Sequence, residues 1–181
     1  MLAKKLQFLI GLCALLIGVH IVNIFLSYSL NQYGILPRRV DQLWGIFTAP
    51  FLHGSIYHLI SNLFGLCIFS AFCFVRSLHR YIFSSLIIIS LTGLSTWLFA
   101  RNAIHIGASG WVFGLWSLCI ATAWFERRLL NIVVACLVLI FYGGVIYGVL
   151  PTNPNISFEA HFFGVIAGVF CAYLNAKNKI K

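Results

Sequence analysis

Ile56-Tyr57-His58-Leu59-Ile60-Ser61-Asn62-Leu63-Phe64-Gly65 opens a stretch that continues without a formal charge to Val75. Twenty such residues are about what a helix needs to cross the hydrocarbon core of a bilayer. Most of its polar side chains are crowded at one end: His58, Ser61 and Asn62 lie in the first two turns, and Ser70 follows far below. Polar groups at hydrocarbon depth are costly unless they have partners or a task. The stretch therefore reads as a membrane helix whose mouth is built for polar work.

Working outward, five further apolar runs recur, at about 6–28, 81–100, 109–124, 129–150 and 158–174. The chain is 61% hydrophobic and 8% charged, with a mean hydropathy of +0.99. That leaves too few charged residues to cover a water-soluble domain of 181 residues. The expected fold is all-α: a single membrane-embedded domain over residues 1–181, made of six transmembrane helices. The first run follows Lys4 and Lys5 but is longer than a signal's apolar core, so it is read as a span.

The basic residues set the threading. With the N-terminus inside, Lys4, Lys5, Arg76, Arg80, Arg127, Arg128, Lys177, Lys179 and Lys181 lie inside, and Arg38, Arg39 and Arg101 lie outside. Nine against three obeys the positive-inside rule and places both termini in the cytoplasm, in a bacterial inner membrane. The net charge of +9 then reports topology and contact with the lipid bilayer, and nucleic-acid binding is not expected. The six cysteines are scattered through apolar runs and are expected to serve as small buried hydrophobes without disulfides. In the long first loop, Trp44, Phe47, Phe51 and Leu52 alternate with small or polar residues, as in an element lying in the outer leaflet.

Under this threading the second, fourth and sixth spans all start at the outer side, and each starts with a polar motif. These are His58 with Asn62, Gly107-Ala108-Ser109-Gly110, and Ala160-His161. Four residues apart, His58 and Asn62 share a helix face. A serine becomes a useful nucleophile only when a base takes its proton, and His161 stands at a neighbouring helix start. The N-terminus of the fourth helix favours negative charge, and His58 and Asn62 add donors for an oxyanion. Gly107 and Gly110 keep the backbone open beside the serine. His161, Gly164 and Gly168 form one stripe, and the pairs Gly110/Gly114, Gly144/Gly148 and Gly164/Gly168 have the spacing of close helix contacts.

The only acids are Asp41, Glu126 and Glu159, none placed to complete a triad, so a Ser109–His161 dyad is expected. His53, five residues before His58, has no carboxylate or cysteine nearby to support a metal site, and no metal or cofactor is expected. The chemistry points to an intramembrane serine endopeptidase. A transporter would need polar residues through both leaflets, whereas the inner halves carry little beyond Ser70, Ser90, Ser117 and Asn175.

At these residues the chain resembles the rhomboid proteases in their minimal six-helix bacterial form. Residues 47–62 resemble the family's His-x-x-x-Asn region, Gly107-Ala108-Ser109-Gly110 its Gly-x-Ser-Gly motif, and His161 with Gly164 and Gly168 its sixth helix. The resemblance implies Ser109 as nucleophile, His161 as base, and His58 and Asn62 as oxyanion donors. It also implies cleavage of single-span membrane proteins near the outer surface, with substrate admitted beside the fifth helix under a loop at about 150–157. A non-catalytic rhomboid-like protein that binds membrane clients is the alternative, although such proteins usually lack the serine or the histidine. Two departures stand out: Trp44-Gly45 where the family often has Trp-Arg, and Phe113 where a tyrosine often stacks on the catalytic histidine.

Overall fold

The computed structural model describes residues 2–153 and 156–177. It contains α1 (Leu2–Phe25), α2 (Gly45–Thr48), α3 (Ile56–Cys73), α4 (Leu78–Phe99), α5 (Ser109–Glu126), α6 (Leu129–Tyr142) and α7 (Phe158–Lys177). Short 3-10 turns lie at Ser29–Tyr33, Val40–Gln42, Ala49–Phe51 and Gly143–Val149. Pro154 and Asn155 of the turn expected outside, and Lys179 and Lys181, expected inside, fall outside the described residues.

The six expected spans correspond to α1, α3, α4, α5, α6 with its 3-10 extension, and α7, with two corrections. First, five of these are long and apolar enough to cross a membrane, and α5 is not among them. The reason is its position. Every residue from Gly110 to Cys119 is buried, so α5 is wrapped by its neighbours and has no need of a lipid-facing apolar surface. Second, the run at 129–150 is not one α-helix. It turns to 3-10 at Gly143, where two successive glycines weaken the helix and the Tyr142 carbonyl accepts a bond from the Trp116 indole at 3.1 Å.

Helix α5 packs most closely on α7, and glycine makes this possible. A Cβ at Gly164 would run into the Gly110 carbonyl, and one at Gly168 into the Gly114 carbonyl and Ser117 Oγ. Two of the three glycine pairs are thus one seam seen from both sides. The third is not a helix seam. A Cβ at Gly144 would meet nothing within 4 Å, and Gly148 lies against Phe113 and His161.

The first loop is pinned across the top of α4. Ile46 of α2 packs on Gly93, while Trp44 and Phe47 stay exposed, which gives the amphipathic element read from the sequence. A side chain at Gly45 would collide with the Gly34 carbonyl, so no arginine fits there. Arg38 holds the loop instead: its Nη1 donates to the Ala100 carbonyl at 2.9 Å, and the Trp97 indole donates to the Arg39 carbonyl at 3.0 Å. Helix α1 is the most peripheral, burying only Leu16, His20 and Asn23. Asn23 closes the turn that follows, accepting from Leu30 N and donating to Asn31 Oδ1.

Candidate active site

The three polar motifs meet at one cavity of about 1180 Å³. Its wall includes His58 and Asn62 from α3, Ser109 and Phe113 from α5, and His161 from α7. Further wall comes from the 101–106 loop, from Tyr57, Ser61 and Phe64 of α3, and from Tyr142, Val145 and Gly148.

Ser109 is the first residue of α5, preceded by Ala108, which offers no side-chain cap. The leading N–H groups of that helix therefore have no side-chain partner from the capping position, and no acidic residue occupies the first turn. His161 is 7% exposed. Its Nδ1 lies 2.8 Å from the Gly148 carbonyl oxygen. A carbonyl can only accept, so Nδ1 carries the proton and Nε2 is left as the lone-pair nitrogen. Among the described residues, Ser109 and His161 are not hydrogen-bonded to each other. Phe113 stacks on the His161 ring with centroids 4.1 Å apart and planes 7° apart. The ring expected from the family pattern is present without its hydroxyl.

Gly107 has a reason that differs from the one read in the sequence. Its φ is +111°, a region closed to most side chains, and a Cβ there would collide with Nε2 and Cε1 of His58. The glycine makes room for the imidazole. Gly110 serves the seam, facing Thr92 and the Ala160 carbonyl. Asn62 is 3% exposed and donates one amide N–H to the His58 carbonyl at 2.8 Å, which leaves its second N–H. Ser55 caps α3 by accepting from His58 N at 3.2 Å and so fixes the turn that carries His58.

Sequence reasoning missed two supports. His105 bridges the loop to the start of α7, with Nδ1 2.6 Å from Ser157 Oγ and Nε2 3.0 Å from the Arg101 carbonyl. The carbonyl fixes Nε2 as the donor, so Nδ1 accepts from the Ser157 hydroxyl. Burial, above all, holds His105 below the usual histidine range. The second support lies behind His58. His53 packs edge-on against it at 5.0 Å and against His20 of α1 at 6.3 Å. Burial, reinforced by His58 and His20, lowers the His53 pKa to about 3, so it is a neutral ring at any physiological pH. The signal was present as His20 and Asn23, polar residues three apart in an apolar run. Glu159 is committed elsewhere, within 3.6 Å of the Arg101 guanidinium. Among the described residues, no group of three metal-ligating side chains is positioned to hold an ion.

The Rhomboid domain family matches residues 40–178. An uncharacterized protein of Mycobacterium tuberculosis H37Rv is 34% identical over 170 residues, covering 89% of this chain and 71% of that protein. One from Mycobacterium leprae is 32% identical over 186 residues, covering 94% and 74%. Rhomboid-like protein 11, chloroplastic, of Arabidopsis thaliana is 27% identical over 176 residues, covering 89% and 62%. A family match over most of the chain, with all three polar motifs inside it, makes this integral membrane protein a member of the rhomboid family.

Proposed function

We propose that the chain is an intramembrane serine endopeptidase acting through Ser109 and His161. The observation that carries this reading is the convergence of Ser109, His161, His58 and Asn62, from three helices, on one cavity. His161 Nε2 takes the proton as Ser109 Oγ attacks the scissile carbonyl carbon. The resulting oxyanion is met by the N-terminal N–H groups of α5, the His58 ring and the free amide N–H of Asn62. Nε2 then returns the proton to the departing amine, and water releases the acyl group from Ser109 by the same steps. The Gly148 carbonyl does the orienting work that a triad assigns to an acid, since it fixes the tautomer and holds the ring.

The substrate is a single-span membrane protein, admitted between α3 and α6. The cavity is bounded there by Tyr57, Ser61 and Phe64 on one side and by Tyr142 and Val145 on the other. With both termini cytoplasmic, as the basic residues favour, the cut falls near the outer face of a bacterial inner membrane. Reporter cleavage in liposomes tests the assignment. Ser109→Ala, His161→Ala and the double variant should fall to one common floor, because members of a catalytic unit are non-additive. If His161→Ala keeps a substantial fraction of native turnover, the dyad is wrong.

A further inference from the structure

Ser109 and Glu126 stand at opposite ends of α5, about 25 Å apart at 1.5 Å per residue. At the Glu126 end lies a second cavity, of about 540 Å³, whose wall includes Arg76, Arg80 and Arg128. We propose that it binds the anionic phosphate of a membrane lipid headgroup.

Charge is the first argument. The three guanidiniums share one carboxylate: Glu126 Oε1 is bonded by Arg76 Nη1 and lies 3.4 Å from Arg80 Nη1, and Oε2 lies 3.9 Å from Arg128 Nε. Three cations against one anion leave a surplus of two positive charges on the cavity wall. Geometry is the second. The Arg80 side chain is 12% exposed, and among the described residues its Nε has no hydrogen-bond partner. A guanidinium built into the cavity wall presents a rigid fork of donors that suits phosphate oxygens.

Two helix N-termini also open here. The helices α4 and α6 begin beside the cavity, contributing Ser77 and Leu130 to its wall, and neither has an acidic residue in its first turn. Their dipoles add to the pull on an anion. The wall also carries Val75 and Leu130, which are 46% and 56% exposed. A basic interior with an apolar rim matches an amphiphile, with its phosphate inside and its acyl chains over Val75 and Leu130. Basic residues that only set topology need no cavity and stand free in water. Arg76 and Arg80, with side chains 18% and 12% exposed, are built into the wall.

The test uses the full chain, delipidated in neutral detergent, with binding followed by native mass spectrometry and thermal stability. Phosphatidylglycerol, phosphatidylcholine and inorganic phosphate are the probes. Phosphatidylglycerol should bind at one saturable site, at least about ten-fold tighter than phosphatidylcholine, and millimolar phosphate should compete weakly. Arg128, 79% exposed, can be changed without risk to the fold, and Arg128→Gln should weaken phosphatidylglycerol binding about five-fold. Arg80→Gln should weaken it about ten-fold or more. Arg80→Lys, which keeps the charge but loses the fork, should fall between Arg80→Gln and the native chain. If inorganic phosphate binds as tightly as the lipid, the lipid assignment is overturned in favour of a free-phosphate site. Equal binding of the two lipids, or native affinity in both Arg128→Gln and Arg80→Lys, overturns the site altogether. The readout needs no cleavage, so it stands or falls separately from the role of Ser109.

Discussion

The Ser109 cavity has two walls built on opposite principles. On the α5–α7 side, backbone lies on backbone: Gly164 and Gly168 touch the carbonyls of Gly110 and Gly114 so closely that no side chain fits between. On the α6 side, the helix breaks at Gly143, where a Cβ added at Gly143 or Gly144 would meet nothing within 4 Å, and Ile140 and Phe141 point largely outward. The first wall carries Ser109 and His161 and fixes their spacing. The second borders the path proposed for a substrate helix. Close backbone packing tolerates almost no rearrangement, whereas the open start of the 3-10 segment, ahead of Gly148, costs less to shift.

The contrast predicts a ranked set of effects. Gly168→Val should be the most damaging. It drives a branched side chain into the Gly114 carbonyl and Ser117 Oγ, and a loss of about 3 kcal/mol or more in stability is expected, with activity lost. Unfolding in graded denaturing detergent measures it. A near-native midpoint would mean the seam is not the rigid wall.

Gly107→Ala should come next, and mainly in turnover. The added Cβ meets the His58 ring and the φ of +111° becomes strained, so loss of one oxyanion donor by displacement should lower kcat by about 10²–10³. Direct substitution of His58 should reach a similar floor. Substrate binding should be spared, which a KM close to native would show.

Acid stability reports on the ring behind His58. His53 is buried with a pKa of about 3, whereas in the unfolded chain it titrates near ~6.5. Below ~6.5 the unfolded state binds the proton and the folded state does not, so stability is fully present above that pH. It declines as pH falls toward 3, by about 1.4 kcal/mol per unit from this group. Thermal midpoints between pH 7 and 4 should fall for the native chain and fall less steeply for His53→Gln, because His105, also held low by burial, still contributes. Parallel curves for the two would remove His53 from the account.

Phe113→Leu removes the stack on His161 but leaves the Gly148 bond. Aromatic pairs contribute about 0.5–1.5 kcal/mol, so turnover should fall by about two- to ten-fold. The smallest effect belongs to the loose wall. Gly143 has helical dihedrals, φ −60° and ψ −31°, and open space around it. Gly143→Ala should therefore raise stability by about 0.4–1 kcal/mol. A loss of stability there would show that the break is packed after all.

Much of this was readable from residues alone. The apolar runs, the three motifs at one depth and the α5–α7 stripe follow from length, spacing and the threading of the chain. What escaped was carried by backbone. The orienting partner of His161 is a carbonyl, the tethers of Arg38 are carbonyls, and the tightest contacts of Gly164 and Gly168 are carbonyls. Sequence assigns no address to such groups. The break at Gly143-Gly144 did carry a signal, two adjacent low-propensity residues, but it was masked by an apolar run of full spanning length. The inner cavity was hidden because its arginines also satisfy the positive-inside rule. Their burial, and not their number, distinguishes them.

The most direct measurement of the central claim is covalent labelling of native membranes with a fluorescent fluorophosphonate. The serine is expected to react only when its own base activates it. The native chain should label, Ser109→Ala should not, and His161→Ala should lose the label although Ser109 remains in place. Equal labelling of the native chain and Ser109→Ala, or undiminished labelling of His161→Ala, would contradict the account.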